Sequence, residues 1–206
     1  MMNKQEFNQS WSKLHGDAQI TGVVKGWLGI SYILVKPLAK IRVTPNLLTV
    51  LGLFFGILLY LNALSNWAIL FLVLSLICDG IDGSLAIITG KSGKWGAMLD
   101  SVVDRITEVF WALTFISIGA DQKLVIAALL IAVTQEYLRA RSAGLGLTDL
   151  GVVTIAERPV RASILFVALV AFTLNLEIIN PLALLWLIMQ AVSLISLTKF
   201  SYKKLN

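Results

Sequence analysis

The stretch Asp79-Gly80-Ile81-Asp82-Gly83-Ser84-Leu85-Ala86, continued after a short glycine-rich interval by Gly96-Ala97-Met98-Leu99-Asp100-Ser101-Val102-Val103-Asp104, puts four carboxylates at the ends of two apolar segments. Asp79 and Asp82 are three residues apart, about 60° on a helical wheel, and Asp100 and Asp104 are four apart, about 40°. Each pair therefore points one way from its helix. The short connection between the segments makes them antiparallel neighbours, so the four side chains can converge on one point. Burying one charge in apolar surroundings is costly, and four like charges repel one another as well. A cluster of this kind requires a cation. Carboxylate oxygens are hard ligands, which points to Mg²⁺, with Mn²⁺ or Ca²⁺ as related choices. Gly80, Gly83, Gly93 and Gly96 leave room for a bulky phosphorylated ligand to approach the backbone.

Composition sets the surroundings of this cluster. Of 206 residues, 57% are hydrophobic and 14% are charged, where a soluble domain would carry about 25%. The mean hydropathy is +0.83. Six apolar stretches, at roughly 46–63, 66–87, 97–118, 122–142, 160–176 and 179–198, are each near the ~20 residues needed to cross a bilayer. The expected fold is all-α, a polytopic membrane protein with six transmembrane helices. The segment from Ile20 to Leu38 mixes Trp27, Leu28, Ile30, Ile33 and Leu34 with Lys25 and Lys36, and is expected to lie at the interface as an amphipathic helix. Residues 1–45 lack the compact apolar core of a cleavable leader. Pro45, preceded by Thr44 as a cap, suits the first turn of the first span.

Charge sets the expected topology. With the N-terminus, the breaks at 89–96 and 143–159 and the C-terminus on one side, only Lys123 of the 17 Lys and Arg residues falls on the other. The positive-inside rule makes the rich side cytoplasmic, with both termini and all four aspartates on it. The whole chain, 1–206, reads as a single domain: an N-terminal segment 1–45, a membrane core 46–198 and a tail 199–206. The net charge of +5 is thereby a membrane signal rather than a nucleic-acid one. The single cysteine, Cys78, excludes an intramolecular disulfide and a cysteine-based zinc site, and the single histidine, His15, excludes a multi-histidine site. No catalytic role is expected of His15.

The aspartate run resembles the signature of the CDP-alcohol phosphotransferases. Asp79, Asp82, Gly83, Ala86, Gly96, Asp100 and Asp104 fit that signature with every spacing intact, seven fixed positions over 26 residues. The resemblance implies transfer of a phosphatidyl-type group from a CDP-linked lipid to an alcohol, with release of CMP. It implies Mg²⁺ held by Asp79, Asp82 and Asp100, with Asp104 as general base and also close enough to serve as a ligand of a second ion. It implies that Gly83 and Gly93 line the nucleotide, with Pro45, Asn46 and Thr49 touching the cytidine, and it implies a homodimer. One position departs from the signature: the family's arginine after the alanine, which helps hold the CDP-linked substrate, is Ile87 here. Lys91 or Lys94 is placed to supply the missing charge.

A second set of charges lies downstream. Arg139 and Arg141 end the fourth span, Arg158 and Arg161 open the fifth, and Lys199 ends the sixth. Arginine forks suit phosphate oxygens, so an acceptor that itself carries phosphate is expected at these five residues. The order of the arginine-rich turn, the glycine-rich loop and Glu157-Arg158-Pro159-Val160-Arg161 resembles the branch of the family that makes phosphatidylinositol phosphate. That branch carries an arginine near the position of Lys199. Inositol phosphate is therefore the favoured acceptor and CDP-diacylglycerol the donor. The alternatives are glycerol phosphate as acceptor, an inactive family member because of Ile87, or, from another class, an ion or solute transporter. Against the transporter, the aspartates sit on one side rather than along a path, and no internal repeat is visible.

Overall fold

The computed structural model describes residues 2–14, 16–147 and 153–205, so His15 and part of the glycine-rich break at 143–159 lie outside the described residues. Among the described residues the chain is all-helical: α1 (Lys4–Leu14), α2 (Gly22–Lys40), α3 (Pro45–Leu61), α4 (Trp67–Thr89), α5 (Lys94–Ser117), α6 (Gln122–Gly144), α7 (Arg158–Thr173) and α8 (Ile179–Leu205). The six apolar stretches coincide with α3 to α8. By length and composition α4 and α8 each suffice to cross a bilayer, and α2 with α3, bent by 111° at the break between them, make a third candidate. Helix α8 runs on through the stretch read as a tail, because Lys203 and Lys204 suit the carbonyl end of a helix.

The residues form two compact units. The first comprises Met1–Ile57 and Phe71–Thr107, the second Leu58–Leu70 and Glu108–Asn206.

The first unit is built on an apolar cluster of Phe7 from α1, Leu28 and Val35 from α2, Leu48 from α3, and Ile81, Leu85, Ile87 and Ile88 from α4. Helix α1 was not expected from apolar periodicity, since its outer face is polar. Its signal is a capping box. The Asn3 side chain accepts from the Glu6 amide and the Glu6 carboxylate accepts from the Asn3 amide, each at 2.9 Å. The Tyr32 hydroxyl donates to the Met2 carbonyl at 3.1 Å, tying α2 to this N-terminus. Helix α2 ends in a Schellman motif, with the Val43 amide on the Leu38 carbonyl and the Arg42 amide on the Ala39 carbonyl. Arg42 takes the left-handed position at φ +61°, where glycine is usual. Thr44 then caps α3 through the Leu47 amide at 3.3 Å, with Pro45 in the first turn. Gly80 on α4 is where the Trp27 ring lies closest, and a Cβ there would stand 2.6 Å from the indole.

The second unit is held by buried polar bonds as well as apolar packing. Gln190 on α8 donates to Gln135 on α6 at 2.8 Å, and Gln135 donates to Thr154 at 3.2 Å. The Ala156 amide donates to Ser193 at 3.0 Å. These bonds fix the segment before α7 against α6 and α8. Phe115, Leu165, Leu169 and Trp186 supply the apolar part.

Asn3→Ala should unfasten the start of α1 without affecting α4. Loss of such a cap costs about 1 kcal/mol, so amide exchange along α1 should quicken about fivefold, read by hydrogen–deuterium exchange. Unchanged protection of α1 would show that packing of Phe7 alone holds it.

Candidate active site

Helix α4 continues without a break through Asp79 and Asp82 and stops at Gly90, whose φ of +66° closes a second Schellman motif with the Lys91 amide on the Ala86 carbonyl at 2.8 Å. Helix α5 restarts at Lys94 and carries Asp100 and Asp104. This tight reversal gathers the carboxylates. Oxygens of Asp79, Asp100 and Asp104, all half-buried, lie within 4.8 Å of one another. Ligand oxygens sit 2.0–2.6 Å from Mg²⁺ or Ca²⁺, so three oxygens at this separation fit around one ion. The donor set is all carboxylate, which suits a hard divalent ion.

Asp82 is handled differently. It is 7% exposed, accepts from the Thr49 hydroxyl at 2.5 Å, and also accepts from the Gly83 amide. It lines the same cavity as Asp79 and Asp100, a space of about 630 Å³. Pro45, Asn46, Thr49, Gly83, Gly93 and Gly96 line it too, so the residues expected to meet the donor share one cavity with three of the aspartates. A Cβ at Gly83 or Gly93 would meet nothing within 4 Å. These two glycines therefore face open space rather than packed protein. Lys91 and Lys94 also line the cavity and bring positive charge to it. Trp11, Leu14, Trp27 and Leu28 form an apolar wall from α1 and α2 that the sequence reading did not anticipate. Ile87 is 6% exposed and belongs to the apolar cluster while edging the cavity.

In the second unit the arginines meet carboxylates. Arg139 donates through Nη1 and Nη2 to the two oxygens of Glu157, at 2.8 and 2.5 Å. Glu157 also accepts from the Thr154 amide and hydroxyl, both at 2.7 Å. Burial alone would push the Glu157 carboxyl up, but the bonds from Arg139 and Thr154 prevail and hold it at about 2. Arg161, whose side chain is 1% exposed, donates to Glu108 at 2.6 Å and to the Ala156 carbonyl at 2.7 Å. Arg158 stands 3.8 Å from Glu108, with its guanidinium 5.0 Å from the Trp111 ring centre. Arg141 and Lys199 are exposed. Glu108 was missed by sequence reasoning. Its signal is a carboxylate four residues beyond Asp104, inside an apolar stretch of α5, where an ionisable group is rare without a partner.

The fold and site define a helical membrane protein with an aspartate cluster on a cavity flanked by lysines. The chain belongs to the CDP-alcohol phosphatidyltransferase family, whose model matches residues 42–197. It is similar to the phosphatidylinositol phosphate synthase of Corynebacterium glutamicum, 38% identical over 66% of this chain and 69% of that protein. It is also similar to the archaetidylinositol phosphate synthase of Pyrococcus horikoshii, 32% identical over 65% of this chain and 72% of that one. Among solved structures, the Mycobacterium tuberculosis phosphatidylinositol phosphate synthase with manganese and citrate superposes with a TM-score of 0.64 at 20% identity, over 84% of this chain and 88% of that one. The same enzyme with CDP-DAG bound gives 0.59 at 24% identity, over 82% and 90%. These two likenesses show a shared fold.

Oxygens of Asp79, Asp100 and Asp104 are close enough together to hold one divalent ion, which can be tested directly. Asp79→Asn and Asp100→Asn should each weaken Mn²⁺ binding roughly 10- to 150-fold, the loss of one charge-assisted contact, read by paramagnetic resonance titration of the purified protein. Asp82→Asn should do less, because Thr49 already engages that carboxylate. Equal effects at all three positions would make Asp82 a full ligand.

Proposed function

We propose that this protein transfers the phosphatidyl group of CDP-diacylglycerol to inositol phosphate at the cytoplasmic face of a membrane, releasing CMP. The observation that carries the reading is the meeting of Asp79, Asp100 and Asp104 within 4.8 Å, with Asp79 and Asp100 on the wall of a cavity that also bears Gly83, Gly93, Lys91 and Lys94. An anionic pyrophosphate would otherwise be repelled from such a place. The names of the relatives support the acceptor: they differ in lipid and share an inositol phosphate headgroup.

Asp79, Asp82, Asp100 and Asp104 would hold Mg²⁺, which supplies neutralisation of the pyrophosphate and of the charge that develops during transfer. Thr49 orients Asp82 through its hydroxyl. Gly83 and Gly93 leave space for the nucleotide, and Pro45, Asn46 and Thr49 flank it. Lys91 and Lys94 take over the charge that Ile87 does not provide. Asp104 accepts the proton of the attacking acceptor hydroxyl as the new phosphate ester bond forms and the bond to CMP breaks. The acceptor's own phosphate is held by Arg139, Arg141, Arg158 and Lys199, with Arg161 in the same set. Because Arg161 is buried against Glu108, its part is to position this group. Six membrane spans, with α2 at the interface, complete the reading, and the exposed Ile30, Ile33, Val50 and Phe54 side chains support lipid contact on α2 and α3. We read 1–206 as one domain, and the family match over residues 42–197, which takes in parts of both compact units, supports this for the membrane core. A homodimer, implied by family resemblance, is part of the proposal.

Mg²⁺-dependent release of CMP from CDP-diacylglycerol, assayed with inositol phosphate and with glycerol phosphate in turn, tests the function. Turnover with glycerol phosphate alone would replace the acceptor, and no turnover with either would reject the reaction.

Asp104→Asn should lower the transfer rate at least ~10²-fold, the loss typical of a general base, while CDP-diacylglycerol binding survives. Loss of donor binding in that variant would make Asp104 chiefly a metal ligand.

Arg158→Ala should raise the KM for inositol phosphate roughly 10- to 150-fold and leave the KM for CDP-diacylglycerol nearly unchanged. Unphosphorylated inositol should be a poor substrate and little affected by the change. Equal losses for both acceptors would remove Arg158 from the acceptor site.

A further inference from the structure

Outside the aspartate cavity, the first unit carries a second groove of about 450 Å³. Lys40 and Arg42 reach it from the end of α2 and the turn after it, and Lys91 reaches it from the α4–α5 connection. Ala39, Val43 and Ile88 give it an apolar floor. No carboxylate lines it among the described residues. This differs from the second unit, where Arg139 and Arg161 are each neutralised by a glutamate. Here three cations from separate parts of the chain line one groove, and none of them has an ion-pair partner among the described residues, so an anion bound there would meet only positive side-chain charge.

The backbone adds a second observation. Arg42 holds a left-handed conformation, φ +61°, at a helix end where glycine is favoured because it has no Cβ. The turn itself needs only that conformation. The arginine is the strained way to make it, and what it adds is a guanidinium at the groove.

The surroundings select the anion. Ile41, between Lys40 and Arg42 in the chain, is 72% exposed, and Ile33 on the same helix is 69% exposed. A cationic groove floored by Ala39, Val43 and Ile88, on a helix end that exposes Ile41, suits a molecule with a phosphate at one end and hydrocarbon at the other. A free phosphate would make no use of these apolar side chains.

We propose that Lys40, Arg42 and Lys91 form a site for the headgroup phosphate of an anionic phospholipid, adjoining the aspartate site. It rests on the interfacial placement of α2 proposed above. Lys91 also lines the aspartate cavity, so the site borders the donor cavity and shares one cation with it.

The test uses the full chain in zwitterionic micelles, with thermal denaturation followed during titration with phosphatidylglycerol, phosphatidylcholine or inorganic phosphate. Wild type should show a saturable stabilisation by phosphatidylglycerol alone. The variant carrying Lys40→Gln with Arg42→Gly should lose at least about tenfold in apparent affinity. Its fold should not suffer, because glycine relieves the left-handed strain, and its melting temperature without lipid checks this. Lys36→Gln removes one charge from the same helix outside the groove and should leave the affinity within twofold. A loss smaller than tenfold in the double variant overturns the proposal. So does a comparable loss in Lys36→Gln, which would mean diffuse surface attraction. Saturation by inorganic phosphate to the same extent would make this a soluble-anion site and would also overturn it. Because transfer activity is not the readout, failure here is distinguishable from failure of the proposed reaction.

Discussion

The mutual repulsion of three carboxylates held within 4.8 Å of one another is the constraint on which the first unit depends. At an effective dielectric constant of 20, two unit charges at this separation repel by about 3.5 kcal/mol. A divalent cation among them would offset that repulsion, to which the Arg105 guanidinium 3.6 Å from Asp104 already contributes. The fold accordingly spends its local features on gathering the oxygens rather than dispersing them. Gly90 stops α4 within one residue, α5 restarts at Lys94, and the two aspartate pairs, each on one helical face, end up on a shared site. Asp82 is held by the Thr49 hydroxyl and the Gly83 amide. Its carboxylate thus ties α3 to α4 on the cavity wall, while oxygens of the other three lie close enough together for one metal ion.

The second unit solves the problem of buried charge by pairing. Arg139 with Glu157 and Arg161 with Glu108 are close, directed ion pairs, and for the buried one, Arg161–Glu108, removing one partner typically costs about 3–5 kcal/mol. Such arginines are held in place before any ligand arrives. Arg158 is the exception. It stands 3.8 Å from Glu108 and is braced on the Trp111 ring, a longer and softer attachment. Arg158 thus shares Glu108 with Arg161 at the start of α7.

The parts of this arrangement that were legible in the sequence are those set by local periodicity. Aspartates at intervals of three and four must share a helix face, and apolar stretches of about twenty residues must be helices, so α3 to α8 and the aspartate cluster followed directly. The parts that escaped are set by contacts between residues far apart in the chain. Thr49 engaging Asp82 spans 33 positions, and Arg161 engaging Glu108 spans 53. Helix α1 escaped for another reason. It presents a mostly polar surface, and only Phe7 is fully buried, so its periodic signal was weak although the Asn3–Glu6 capping box was there to be read.

Ile87 shows how these levels meet. The family resemblance puts an arginine there, and its absence at first counts against binding an anionic donor. In this chain position 87 lies in the cluster with Phe7, Leu28 and Leu48, where α1, α2 and α3 close over α4. The isoleucine packs in that cluster at 6% exposure while also edging the cavity. Trp11, Leu14, Trp27 and Leu28 continue the same apolar surface as a wall of the cavity. With isoleucine at this position, positive charge has to enter from residues outside the cluster. Lys91 and Lys94 meet this condition, because they lie where the α4–α5 connection is exposed and still line the same cavity.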